Sequence, residues 1–230
     1  MLCTVCGSTT FSHHSVLWDE LISEWQLSPD EVAYVNAQQG TCCTSCGANL
    51  RSVALAMAIQ VCTNQSRPLA ELVASGDLDS LSVLEINEAG TLSPYLRRLP
   101  GHTYAAYPDV DIQSMRYASD RFDLVVHSDT LEHVAHPIRG LAECHRVLRA
   151  GGMLCFTVPM IVGRMTRNRA GLPKSYHGGR ETDRDDFVVH TEFGTDTWTY
   201  PVQAGFQHIE LVCPSYPAAI ALIARKAKDA

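Results

Sequence analysis

DRFDLVVHSDTLEHVAHPIRGLAECHRVLRAGGMLCFTVP, residues 120–159, runs through strand, polar loop, helix and strand in one pass. Residues 122–126 are a short valine-rich apolar run with charge before it and His127-Ser128-Asp129 after it. That is the pattern of a strand buried on both faces of a parallel sheet, so the polar cluster falls at a strand's carboxyl end. Pro137 suits a first helical turn, and Ile138, Leu141, Ala142 and Leu148 recur at helical spacing. Gly151-Gly152 supplies a left-handed stop before residues 153–158 run as the next strand. Such crossovers are almost always right-handed, and open α/β sheets bind ligands at the carboxyl ends of their strands.

FDLVVHSDTLEHV followed by RVLRAGGMLCFTVP closely resembles the second half of class I S-adenosylmethionine-dependent methyltransferases of the broad methyltransferase-11 type. Leu-Glu-His after one strand and Val-Leu-x-x-Gly-Gly before the next are the specific part, and the resemblance extends over residues 81–212. It implies an α/β, Rossmann-like, doubly wound sheet of seven mostly parallel strands, with S-adenosylmethionine as cofactor. Residues 81–86 are expected as the first strand, 102–106 as the second, 208–212 as the sixth and 218–224 as the closing antiparallel strand.

Composition agrees with one such domain and a small appendage, divided here as 1–66 and 67–230. The formal net charge of −7 argues against broad binding to nucleic acid or anionic membranes. No apolar run of about 18 residues and no charged-then-apolar leader is found, so a cytoplasmic protein is expected. In that compartment the nine cysteines read as thiols and metal ligands before disulfides.

Cys3-Thr4-Val5-Cys6-Gly7 is matched by Cys43-Thr44-Ser45-Cys46-Gly47. A two-residue spacing in a tight turn aims both thiolates at one cation, the glycine permits positive φ, and four sulfurs complete tetrahedral coordination of a structural zinc. Buried free thiols and a redox pair are the competing readings, and Cys42, His13 and His14 are rival ligands. The 36 residues between the knuckles look helical. Val16, Leu17, Leu21, Ile22 and Trp25 give one apolar stripe, and Ser28-Pro29-Asp30-Glu31 has the cap, proline and acidic first turn of a second helix. Residues 49–62 place Leu50, Val53, Ala54, Met57, Ala58 and Val61 on one helical face, and residues 68–75 continue as helix up to Gly76.

After the first expected strand, SVLEINEAGTLSPYLRR stands where the resemblance implies an acid and a glycine-rich turn. Glu85 keeps the acid, while Asn87, Ala89 and Thr91 replace glycines and Gly90 falls out of register. Asparagine is the next best residue at positive φ, so the loop still suits a ligand; a degenerate loop without one is the competing reading. The implied cofactor residues are Glu85, Asn87 and Gly90, then Asp111 at the adenine, and His127, Ser128 and Asp129 at the methionine end. Ala106 and Tyr107 occupy the usual place of a ribose-binding acid, with Asp109 the nearest carboxylate.

Two readings stand for His133, proton transfer or packing over the cofactor. Some relatives that methylate aromatic hydroxyls hold a divalent ion here, for which Asp129, Glu132 and His133 would be the set. The long polar insert that follows residue 158 is expected to build the acceptor pocket. Its Arg164, Arg167, Arg169 and Lys174 form either a receptor for a phosphate, carboxylate or nucleotide, or a solvated face. Tyr176-His177-Gly178-Gly179 reads as a hinged lid, with His177 the first choice of base and His190 and Glu192 the second.

The function implied is methyl transfer to an oxygen or nitrogen of a small molecule, anionic in one reading. The alternatives are an RNA or protein methyltransferase docking through the zinc module, and a non-catalytic interaction protein.

Overall fold

The computed structural model describes residues 1–176 and 185–228. Strands β1 (Phe11–His13) and β2 (Thr41–Cys43) pair antiparallel, and helices α1 (Asp19–Glu24) and α2 (Pro29–Gly40) lie between them in sequence. At the start of α2 the Ser28 hydroxyl accepts from Glu31 N at 3.3 Å and the Glu31 carboxylate accepts from Ser28 N at 2.7 Å, a reciprocal cap. Then come α3 (Leu50–Cys62), capped by Asn49, and α4 (Leu69–Ser75), ended by Gly76 at φ 76°.

The chain continues through β3 (Val83–Ile86), α5 (Ser93–Leu96), β4 (His102–Ala105), β5 (Phe122–Ser128), α6 (Pro137–Val147) and β6 (Leu148–Thr157). An insert holds β7 (Met160–Ile161), β8 (Arg167–Asn168) and β9 (Thr191–Gly194), which form their own small sheet. Last are α7 (Thr199–Gln203), β10 (His208–Ser215) and β11 (Ala219–Arg225).

The main sheet has the order β10-β11-β6-β5-β3-β4, with β3 to β6 parallel and β11 antiparallel to both its neighbours. This is the doubly wound α/β sheet expected, with six strands among the described residues in place of seven. Residues 106–121, between β4 and β5, run as turns. Pro108 removes a ladder donor there, and the segment has no period-two apolar pattern to hold a strand on the edge of β4. A second correction concerns Gly151, at φ 77°. It lies inside β6, where the register jumps from Phe122↔Leu148 to Leu124↔Met153, and so serves a bulge rather than a helix stop.

Strand residues divide alternately between two cores. Val83, Leu124, Val126, Cys155, Ala221 and Ile223 pack with α3 and α4, whereas Leu84, Ile86, Val125, Leu154 and Leu222 pack with α6. The first core also takes in Cys3, Val5, Cys43 and Ala48, and Leu69 N and Ala70 N donate to Thr4 O and Val5 O, each at 2.9 Å. Packing therefore crosses residue 66 without a break.

His127 is fully buried in β5 with neither ring nitrogen hydrogen-bonded, its ring tilted against Phe156 at 5.1 Å. Burial holds its pKa down at about 3, from an ordinary 6.5, so the folded protein keeps the ring neutral. Between those values the unfolded chain binds the extra proton, so stability rises with pH and is lost as pH falls from 6.5 toward about 3. The expected slope from this residue is on the order of 1 kcal/mol per pH unit. Replacing it as His127→Phe should flatten that slope, read from urea midpoints between about pH 7 and 5; an unchanged slope would refute the assignment.

Candidate active site

The carboxyl ends of β3, β4 and β5 open onto a cleft of about 610 Å³. Its floor is the turn after β3. Asn87 sits there at φ 55°, its backbone N–H donating to Ala105 O at 2.7 Å. Its side chain accepts from Tyr107 N at 3.1 Å and donates to Thr130 Oγ1 at 3.3 Å, so one residue ties three strand ends together. Gly90 adopts φ 56°, and a Cβ on it would lie 3.1 Å from Ser52 Oγ of α3. Asp111 lines the same cleft and accepts from Gln113 N at 2.8 Å. Ser128 lines it too, with its hydroxyl bonded to Thr157 Oγ1 at 2.8 Å.

Two expected cofactor residues do not face the cleft. Glu85 is fully buried beneath the turn, where it accepts from Ala89 N at 2.9 Å and from the Ser93 hydroxyl, and pairs with His102 at 2.7 Å. It shapes the loop instead of lining it. The His127 ring points into the core, because β5 is buried on both faces there. Asp109 is exposed outside the cleft, and Glu88, which drew no attention in the sequence, is among its lining residues.

A second cavity of about 580 Å³ adjoins the first, and Asp129, His133 and Phe187 line both. Its walls are Leu17, Trp18, Leu21, Trp25 and Val35 from the segment between the knuckles, facing Met160 and Ile161 of β7. The roof is fastened to the insert. Arg164 grips Glu31 at 2.5 and 2.6 Å and donates to Trp25 O and Gln26 O at 2.9 and 2.7 Å. The guanidinium holds the Glu31 carboxyl below the usual carboxylate range. Tyr34 OH donates to Val162 O at 3.0 Å, and Trp25 Nε1 donates to Ser175 Oγ at 2.9 Å.

Of the four cations in the stretch read as an anion receptor or a solvated face, the three arginines are engaged with carboxylates. Arg167 is paired with Glu192 at 2.8 Å, and Arg169 with Glu192 and, at 3.3 Å, with Glu24. These ion pairs build the insert and its contact with α1, and among the described residues no cation of the insert lines the apolar cavity. Glu192 is engaged in them. His190 lines the first cleft, and its backbone N–H donates to Glu132 O at 2.7 Å. His177 and the glycine pair of the expected lid lie outside the described residues.

Where the two cavities meet, Arg51 of α3 pairs with Asp129 at 2.6 Å, and Asp129 holds φ 48°, an uncommon conformation for a non-glycine residue. Neither the cationic role of Arg51 nor the backbone of Asp129 had a signal in the sequence beyond a charge in an apolar helix. Glu132 is 1% exposed, and burial followed by the Asp129 charge raises its carboxyl well above the usual range. His133 Nδ1 lies 3.1 Å from Val188 O. A carbonyl only accepts, so Nδ1 carries the proton and the Nε2 lone pair lies 3.7 Å from Glu132 Oε1. Burial lowers the His133 pKa and keeps the ring neutral. Asp129, Glu132 and His133 do not converge as metal ligands. Among the described residues only cysteines form such a group.

Those cysteines are Cys3, Cys6, Cys43 and Cys46, whose sulfurs all lie within 4.8 Å of one another. Cys3 and Cys46 are 3.7 Å apart and Cys6 and Cys43 3.6 Å. A tetrahedron with metal–sulfur bonds of about 2.3 Å has edges of about 3.8 Å, so the set fits a zinc ion. The two knuckles repeat each other: Gly7 N and Gly47 N donate to Cys3 O and Cys43 O at 2.8 Å, with the glycines at φ 83° and 75°. Cys42 turns to Gln39 O and His13 to Thr41, and neither joins the group.

Residues 82–156, which hold most of β3 to β6, match the methyltransferase domain family. Over 70 residues the chain is 33% identical to a ubiquinone biosynthesis O-methyltransferase of Cereibacter sphaeroides, covering 30% of this chain and 24% of that protein. The chain thus spans about a quarter of the length of the curated relatives it matches. Among solved structures, the CMeT domain of a citrinin polyketide synthase aligns over 93% of this chain and 60% of its own, at 14% identity and a TM-score of 0.49. The 1,6-didemethyltoxoflavin-N1-methyltransferase of Burkholderia thailandensis aligns over 74% of this chain and 80% of its own, at 16% identity and a TM-score of 0.40. The segment that matches the methyltransferase domain family thus falls on the parallel strands β3 to β6 of a Rossmann-like sheet, with the antiparallel β11 set against β6.

Proposed function

We propose that this chain is an S-adenosylmethionine-dependent methyltransferase acting on an oxygen or nitrogen of a small molecule. The observation that carries this reading is the junction of a polar cleft and an apolar cavity at Asp129 and His133. Asn87, Gly90, Asp111 and Ser128 are the residues that would hold S-adenosylmethionine, which supplies an electrophilic methyl group on a sulfonium. The chain's own task is to exclude water and align the acceptor, and orientation of this kind contributes several kcal/mol to a barrier. The apolar cavity replaces the anionic acceptor by an uncharged one.

The four cysteines are assigned a structural zinc that fixes both ends of the roof over the acceptor cavity. Docking of RNA by this module is disfavoured by its charge: Arg51 is the one cationic side chain before Arg67, and it is buried against Asp129. Among the described residues no helix is long and apolar enough to cross a membrane.

Calorimetric titration with S-adenosylmethionine and with S-adenosylhomocysteine should show micromolar binding. Glu85→Ala strips three partners from the loop and should weaken it by about tenfold or more. No binding up to millimolar would leave an interaction protein on a methyltransferase fold. Elemental analysis should find one zinc per chain, lost in Cys46→Ser together with the roof's protection from proteolysis; a metal-free wild type would end the zinc assignment.

A further inference from the structure

Nine buried side-chain polar atoms among the described residues have no hydrogen-bond partner, and four belong to residues of one cavity wall. They are Gln38 Oε1, Arg51 Nε and both carboxyl oxygens of Glu132. Buried groups left unpaired are costly and rare, and these three residues all line the cavity under α1 and α2.

The same atoms restrict what ligand fits there. Once Glu132 is ionised, as a base must be, a carboxylate or phosphate has no donor for it and would add a further negative charge beside Asp129. An ammonium has no acceptor for the Arg51 N–H. An ether oxygen accepts but cannot donate. A hydroxyl does both at once. The rest of the wall, with Trp18, Trp25, Leu21 and Ile161, suits a flat apolar body, and about 580 Å³ is ordinary for a small-molecule site.

We propose that this cavity binds an uncharged, largely apolar ring compound through a hydroxyl that donates to Glu132 and accepts from Arg51 Nε, and that Glu132 is the catalytic residue that takes the hydroxyl proton. This rests on the methyltransferase reading and names its acceptor class. In the proton step the O–H bond breaks, an H–Oε bond forms on Glu132, and the electron pair stays on the hydroxyl oxygen. The charged and titratable groups facing Glu132 are Arg51 from α3, Asp129 at the end of β5 and the adjoining His133. Burial and then the Asp129 charge raise the Glu132 carboxyl, which makes it a stronger base.

The test uses the full chain saturated with S-adenosylhomocysteine and three probes: 2-naphthol, 2-methoxynaphthalene and 2-naphthoate. Trp18 and Trp25 line the cavity, while Trp198 is exposed elsewhere, so quenching of tryptophan emission reports binding. The expected result is 2-naphthol bound at least about tenfold tighter than either analogue, the value of a hydrogen bond to a charged group. Because burial raises the Glu132 carboxyl, affinity should rise with pH as Glu132 ionises. Glu132→Leu, a change that buried orphan charges tolerate, should reduce the preference to within about twofold. Glu132→Gln should remove the pH dependence, with S-adenosylhomocysteine binding intact in both variants by calorimetry. Failure of 2-naphthol to bind, an equal affinity for the ether, or a preference that survives Glu132→Leu overturns the proposal while the cofactor reading stands. Loss of S-adenosylhomocysteine binding in wild type, with the naphthol preference kept, would instead refute the cofactor reading.

Discussion

The ion pair between Arg51 and Asp129 joins the helix that covers one face of the sheet to the strand end where both cavities meet. Arg51 stands in the first turn of α3, where the helix dipole disfavours a cation, and the Asp129 carboxylate supplies the negative charge that this end of a helix attracts. Asp129 in turn is held at positive φ, a conformation costing about 1–2 kcal/mol for a residue with a Cβ. Each group is unfavourable alone, and their contact at 2.6 Å is what makes both tenable. Because Asp129 lines cleft and cavity alike, the geometry of the site follows from how α3 lies on the sheet.

The polar cleft is floored by a glycine-poor turn held by side-chain hydrogen bonds. Asn87 takes the left-handed conformation, and its side chain and backbone together bond Ala105, Tyr107 and Thr130. Glu85 fastens the turn from below through Ala89, Ser93 and His102. Gly90 survives where α3 comes closest, since Ser52 Oγ leaves little room for a Cβ. The loop's tolerance for substitution is therefore bounded by the same helix that carries Arg51.

What the sequence makes legible is local. The β5–α6–β6 unit follows from apolar periodicity, the cap of α2 from Ser28 and Glu31, and the cysteine group from spacing and glycine. The six-stranded edge was hidden because residues 106–121 bury Ile112 and Met115 without forming a ladder. The roof of the apolar cavity was hidden because it depends on contacts such as Trp25 with Ser175 and Glu31 with Arg164, between segments with no shared local pattern. Those distant carboxylates also explain why a run of arginines looked like a receptor for anions. His127 misled in the opposite sense, since a polar residue at a strand's carboxyl end faces the core here.

Helix α3 is apolar along most of its length, and it packs most extensively on β11. That strand begins at residue 219, more than 150 residues after α3 ends at residue 62. At a synthesis rate of about 5–20 residues per second, the helix waits on the order of 10–30 seconds on the ribosome before its main partner exists. During that interval Leu55, Ile59 and their neighbours are shielded only by what has already emerged. Slowing translation after residue 62 lengthens that exposure and should lower the soluble yield of this protein.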